Sequence, residues 1–304
     1  MTTTTKTILV TGATSGLGRH MALHLAREGH HVFATGRNVE RLRSLEAEAL
    51  AMSVKLEAFA MDVTDDASVD AARDQIRART AGHGLDVLIN NAGFGLLGPT
   101  EAIGDAEMKR QFDTNVFGLM RVTRAFLPEM RDRRAGRVIN VSSMGGRVTL
   151  PFFGVYNASK YAVESLSDAL RIELGPFGVD VALVEPGMVK SDFAQHAVDS
   201  LVSYRTPDSP YAAVLASVER MNADAKRFIE IDTVWVSRAV ARAVRARRPR
   251  ARYVVSIHAR LTLVAQRLLP TRWFDAILAR SVGITRRALA GAAAAPPALA
   301  GAAE

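Results

Sequence analysis

Tyr156 and Lys160 stand four residues apart in the stretch Tyr156-Asn157-Ala158-Ser159-Lys160. On a helix that spacing puts both side chains on one face, one turn apart. An ammonium held beside a phenol favours the phenolate and predicts a Tyr156 pKa lowered from about 10 toward working pH. A phenol tuned in this way suits the interconversion of a carbonyl and an alcohol. Tyr and Lys meet at this spacing on many solvated helix faces, so the pair draws its weight from its surroundings. Asn115 falls inside a long helical pattern at 107–133, where Asn is mildly unfavourable and invites a polar cluster or a local bend. The apolar run 137–141 reads as a strand that delivers Ser142-Ser143-Met144-Gly145-Gly146.

A second constellation opens the chain. The β-branched and apolar run 7–10 ends in Thr11-Gly12-Ala13-Thr14-Ser15-Gly16-Leu17-Gly18. A helical pattern follows, with Leu17, Met21 and Leu25 on one stripe and His20, His24 and Arg27 on another. Strand, Gly-rich turn and helix together let the backbone approach a pyrophosphate at the positive end of the helix. The spacing is T-G-x-x-x-G-x-G rather than the common G-x-G-x-x-G. His20 and His24 have metal-ligand spacing, but with no third ligand evident they read as an exposed face. The second strand, 31–35, ends in Gly36-Arg37-Asn38. No acid stands there to bond a ribose 2′-hydroxyl, whereas Arg37 offers a guanidinium to a 2′-phosphate, which favours NADP over NAD.

These residues need a scaffold, and the pattern supplies one. Further strands are expected at 55–61, 86–90, 179–184 and 252–256, with helices at 39–51, near 65, at 159–174 and at 232–247. Asp62, at a strand end, is placed to bond an adenine amino group or to cap the helix near Asp65. Asn90-Asn91-Ala92-Gly93 follows the fourth strand at its carboxyl end, where open α/β sheets bind ligands. Strand and helix alternating at this spacing predict a parallel, doubly wound seven-stranded sheet. From 191 to 231 the pattern loosens, and Pro207 and Pro210 suggest a mobile loop.

The 304 residues suffice for one large α/β domain, and 48% hydrophobic with 23% charged residues is a globular composition. The absence of cysteine excludes disulfides and thiolate chemistry. The start is neither a signal peptide nor a membrane span, so the default address is the cytoplasm. The net charge of +8 is concentrated late: from Ser237 onward there are 13 Arg and no Lys against Asp275 and Glu304. Such a block reads first as a solvated face, since it lacks the aromatic interleaving of a nucleic-acid site.

With these pieces in order the chain resembles the short-chain dehydrogenase/reductase family over residues 5–257. The likeness rests on TGATSGLG, Asp62-Val63, Asn90-Asn91-Ala92-Gly93, Asn115, SSMGG, YNASK and PGMVKS together. It implies a single Rossmann-type domain over 1–257, with 191–231 as its substrate loop, and a catalytic tetrad of Asn115, Ser143, Tyr156 and Lys160. Ser143 is taken over Ser142 because the family's catalytic Ser is the second of the pair. Tyr156 would be the acid/base, Ser143 would bond the substrate oxygen, Lys160 would hold the nicotinamide ribose, and Asn115 would hold a relay water. Cofactor contacts carried over by the motifs are Gly12, Thr14, Ser15, Gly16, Leu17, Gly18, Arg37, Asp62, Val63, Asn91, Ala92 and Gly93. Tyr156, Lys160, Pro186, Gly187, Val189 and Ser191 complete the set, Ser191 standing where the family often has Thr. The resemblance also implies a homodimer or homotetramer through helices near 107–134 and 154–175.

Beyond the likeness, residues 258–287 read as an amphipathic helical extension, with Ile257, Leu261, Val264 and Leu268 on one stripe and Arg260 and Arg267 on another. A lid over an apolar cleft is the first reading of it, peripheral membrane contact the second and an oligomer contact the third. Residues 288–304 read as a disordered tail. The approach Pro151-Phe152-Phe153-Gly154-Val155 adds apolar bulk beside Tyr156 and points to a lipophilic, steroid- or retinoid-like ketone or alcohol. The alternatives are a 3-oxoacyl thioester reductase and a non-catalytic nucleotide sensor.

Overall fold

Seven short strands pair side by side, all parallel, in the order β3-β2-β1-β4-β5-β6-β7. They are β1 (Thr7–Val10), β2 (His31–Gly36), β3 (Leu56–Ala60), β4 (Val87–Asn90), β5 (Gly136–Val141), β6 (Val179–Glu185) and β7 (Arg252–Val254). The computed structural model describes residues 4–190, 192–206, 208–216, 230–286 and 288–289. Ser191, Pro207 and most of the expected tail therefore lie outside the described residues, as does 217–229 within the expected loop.

The five inner strands, β2, β1, β4, β5 and β6, are buried on both faces, so they read as largely apolar runs rather than alternating ones. Ile8 and Val10 face a core shared with α1 (Gly16–Arg27), α2 (Val39–Ala51) and the helix Thr233–Arg245. Leu9, between them, faces the opposite core, filled by Ile76 of α3 (Asp66–Arg79), Phe126 and Leu170. On that side α4 (Asp105–Phe112) runs through a π-helical turn, Asp113–Gly118, into α5 (Leu119–Asp132). The helix α6 (Gly154–Leu174) lies beside α5. A buried polar ladder ties this layer to the sheet: Asn90 Nδ2 donates to Thr123 Oγ1 and to Asn140 Oδ1, each at 2.9 Å, and Asn140 Nδ2 donates to Ser167 Oγ at 2.8 Å. The strand order reverses between β1 and β4, which opens a crevice at their carboxyl ends.

Two expectations are corrected. The first part of the loosened region is not a loop: α7 spans Asp192–Val202. Its described inward residues, Ala197 and Leu201, are one turn apart and pack with Leu97 and Phe152, partners too distant in sequence to reveal the stripe. His20 and His24 are not on an exposed face either. They stack at 6.2 Å, and His20 Nδ1 pairs with Ser237 Oγ at 2.7 Å on the helix Thr233–Arg245, hereafter α8. Burial holds the pKa of both imidazoles below the usual value. After β7 come α9 (Ile257–Leu268) and α10 (Thr271–Ser281). Among the described residues no helix is long and apolar enough to cross a membrane.

Candidate active site

The first wall of the crevice is the glycine loop. Gly12 has φ +66°, and a Cβ there would stand 2.7 Å from Ala92 Cα. A Cβ at Gly18 would run into the Gly12 carbonyl oxygen. Only glycine lets the two loops close on each other in this way. Thr11 fastens them: its hydroxyl accepts the Asn91 and Ala92 amides at 3.0 Å each, while Asn91 Nδ2 donates to the Thr11 carbonyl at 2.9 Å. Thr14 packs against Gly36 at the end of β2, and the Ala13 amide donates to the Thr35 carbonyl at 2.8 Å. At the start of α1 no side chain caps the amides and no acid occupies the first turn. Its positive end therefore faces the crevice unneutralised, and the chain fits a pyrophosphate there.

Arg37 is exposed at the end of β2, and its charge is felt by Asp62 at the end of β3. Burial opposes ionisation of Asp62. The Thr64 amide and hydroxyl bonds, with Arg37 and Arg121, outweigh it and hold the pKa below the usual range. Asp62 does not cap α3; Asp65 does, accepting the Ala67 amide at 3.1 Å. The third wall is the turn after β6. Its Pro186 carbonyl accepts the Met144 amide at 2.8 Å, and Val189 bridges to Ile231.

Tyr156 and Lys160 share the inner face of α6, and each is 7% exposed. Lys160 Nζ donates to the Val141 carbonyl at 2.9 Å and lies 5.9 Å from the centre of the Tyr156 ring. The two serines part company. Ser143 hydrogen-bonds Tyr156 and also accepts the Gly145 amide at 3.0 Å, whereas Ser142 is buried on the side of Glu164, away from the phenol. Asn115 sits in the π turn, a local departure from the helix ladder that recurs at functional sites. Its Oδ1 accepts the Phe94 amide at 3.0 Å, and its Nδ2 donates to the Phe94 carbonyl at 2.9 Å and to Ser159 Oγ at 3.1 Å. Both the bend and the polar cluster that a mid-helix Asn invites are present. The side-chain amide is directed at the loop after Gly93 rather than straight at Lys160.

The expectation that Lys160 lowers the Tyr156 pKa is not met. Burial pushes the Tyr156 pKa up to about 12, with the Ser143 bond acting the other way. Burial also pushes Lys160 down to about 8, opposed by the Glu164 carboxylate one turn further along α6. Phe193 of α7 covers the phenol at 5.6 Å, and loss of water costs each charged form more than the pair recovers. A neutral phenol beside an ammonium is a proton donor, as reduction of a carbonyl requires.

Three residues of the site escaped sequence reasoning. Thr11 is one. Asn157 clamps the serine loop to α6, donating to the Gly145 carbonyl at 2.6 Å and accepting the Leu150 amide at 3.2 Å. An Asn in the first turn of a helix was the available signal. Glu164 is the third, four residues beyond Lys160 as Lys160 is beyond Tyr156.

Residues 6–201 match the family model described as short chain dehydrogenase. The chain is 36% identical over 276 residues to the uncharacterized oxidoreductase YbbO of Escherichia coli, covering 90% of this chain and 94% of that protein. It is 42% identical over 199 residues to human 17-beta-hydroxysteroid dehydrogenase type 1, covering 64% of this chain and 60% of that one. A solved actinorhodin polyketide ketoreductase with NADPH is similar at TM-score 0.70 and 29% identity, covering 83% of this chain and 95% of that chain. A family match through the sheet and the Tyr156 helix, and a relative aligned along nearly its full length, place this chain in the short-chain dehydrogenase family of oxidoreductases, which bind a nicotinamide cofactor.

Proposed function

We propose that the chain is an NADP(H)-dependent oxidoreductase interconverting a carbonyl and a secondary alcohol on a lipophilic small molecule. The observation that carries this reading is the meeting of Tyr156, Ser143 and Lys160 at the carboxyl ends of the strands, with Phe193 packed on the phenol ring and the apolar clusters of Leu96 and Phe152 close by. The nicotinamide, when bound, supplies or accepts the hydride. In reduction Tyr156 gives its hydroxyl proton to the carbonyl oxygen, and Ser143 bonds the same oxygen and orients it. Lys160 keeps a positive charge beside the phenol and holds the nicotinamide ribose. Asn115 fixes the loop at Phe94 and, through Ser159, the turn of α6 that carries Lys160.

Cofactor contacts fall to the loop Gly12, Thr14, Ser15, Gly16, Leu17 and Gly18 for the pyrophosphate, and to Asp62 and Val63 for the adenine. Asn91, Ala92 and Gly93 flank the ribose, and Pro186, Gly187 and Val189 the nicotinamide. Arg37 supports NADP over NAD because an exposed guanidinium is the natural partner of a 2′-phosphate. Similarity to a hydroxysteroid dehydrogenase and the packing of Val282, Ile284 and Leu289 on the Phe152 cluster support a lipophilic substrate under a carboxyl-terminal wall. A 3-oxoacyl thioester is the second reading, supported by the likeness to a polyketide ketoreductase. Exposed Phe117, Tyr161 and Ile172 on the π turn and α6 support homo-oligomerisation through these helices, which light scattering tests.

The test is an NADPH-oxidation screen over hydrophobic ketones, with a 3-oxoacyl thioester included and Tyr156→Phe as control. Turnover of the ketones with a loss of about a hundredfold or more in the variant is expected. Binding of NADPH without turnover on any carbonyl would leave a sensor instead.

A further inference from the structure

The two helices of the extension turn their bulkiest apolar side chains away from the protein. On α9, Ile257, Leu261, Val264 and Leu268 form one stripe, and each is more than half exposed. On the opposite side Ala259 is buried, packed near Gly187 at the turn after β6. On α10, Trp273 and Ile277 repeat the pattern one turn apart, again more than half exposed, while Phe274 beside them is buried. In a helix that only covers its own domain the apolar stripe faces inward. Here the inward side faces the domain: Phe274 is buried, and Leu263 and Leu278 beside it line a pocket of about 430 Å³ against Tyr161 of α6. The outward stripe of α9 alone runs about 18 Å, longer than a scattered surface residue requires.

The charges around this face select its occupant. Arg260, Arg267, Arg272 and Arg280 are exposed on the same two helices, against Asp275 as their one acid. A two-fold contact between copies would set this net-positive face against an identical net-positive face, a like-charge arrangement. An anionic lipid surface satisfies both components. The apolar side chains enter the headgroup boundary, Trp273 takes the interfacial position favoured by indole, and the arginines reach lipid phosphates. We propose that α9 and α10 dock the enzyme on the surface of a bilayer carrying anionic headgroups. Because α9 starts from the carboxyl end of β7, where the cleft opens, docking brings that end of the sheet to the membrane. The inference rests on exposure and charge and stands whether or not the proposed substrate class is right.

The experiment is flotation of the full-length protein with phosphatidylcholine vesicles, with and without phosphatidylglycerol, at low and high salt. Binding to the anionic vesicles, weakened by salt, is expected. Leu261→Glu with Leu268→Glu should weaken it roughly tenfold or more. Arg267→Gln with Arg272→Gln tests the charge component at exposed sites, and should leave only the weak binding to neutral lipid. NADPH binding and thermal melting of both double variants should match the parent. Absence of binding to either vesicle overturns the proposal. So does a fall in solution mass in the Leu261→Glu/Leu268→Glu variant, which makes a second copy the occupant. Binding that appears only after deletion of residues 290–304 overturns it too, by making that segment the occupant.

Discussion

Burial acts on Tyr156 and Lys160 in opposite charge senses, and the pH behaviour of the site follows. Tyr156, pushed up to about 12, keeps its proton through any working pH. Lys160, pushed down to about 8, loses its charge as the pH rises through that value. Reduction needs the phenol protonated and the ammonium charged, so kcat/KM for ketone reduction should fall above about pH 8. Glu164 raises the Lys160 pKa, so Glu164→Gln should move the falling limb to lower pH at unchanged NADPH affinity. A profile that stays in place would show that the carboxylate is not felt. Arg37→Asp should weaken NADPH about ten- to a hundredfold and NADH far less, since only the former loses a charge-assisted bond. Equal losses in titration calorimetry would refute the NADP preference.

The elements set how finely these groups are held. At Gly12 a substitution meets a positive φ and the Ala92 backbone together. Gly12→Ala should cost roughly 1–3 kcal/mol in urea unfolding and weaken cofactor binding, since the strained turn is part of the crevice. Gly175→Ala is the contrast: φ is −51° and a Cβ there meets nothing within 4 Å, so stability should hold or rise slightly. The glycine turn was legible in the sequence because its requirement is local, a backbone conformation set by a few neighbours. α7 was not, because its apolar residues matter only against Leu97 and Phe152, brought to it by the sheet. The π turn lies between: Asn115 announced a disturbance in the helix, but its form depended on where Phe94 stood.

At the level of the molecule, Arg252 of β7 joins three elements behind the site. Its Nε lies 3.0 Å from Glu164 Oε2 and 3.1 Å from Glu185 Oε1, and its Nη2 lies 2.6 Å from Asp168 Oδ2. Glu185 is fully buried and Glu164 nearly so, and burial raises the pKa of both. Arg252→Met would leave two buried carboxylates short of their cation, a change that typically costs about 3–5 kcal/mol. The expected outcome is a melting temperature several degrees lower at neutral pH, with part of the loss recovered as the pH falls and the carboxylates protonate. A variant as stable as the parent would mean that Arg147, 3.2 Å from Glu185, suffices alone.

Spacing along the chain carried the parallel α/β sheet, the glycine turn and the face shared by Tyr156 and Lys160, because each depends on periodicity or on a conformation confined to a few residues. Which serine turns to Tyr156, where Asn115 spends its amide, and the outward stripe of α9 were settled only when distant elements packed. So was the direction of the Tyr156 pKa. One turn of helix specifies which charge is the neighbour, but how much water remains around the phenol is set by Phe193 and the other elements packed around it. Desolvation is a property of the packed molecule, and here it outweighs the adjacent charge.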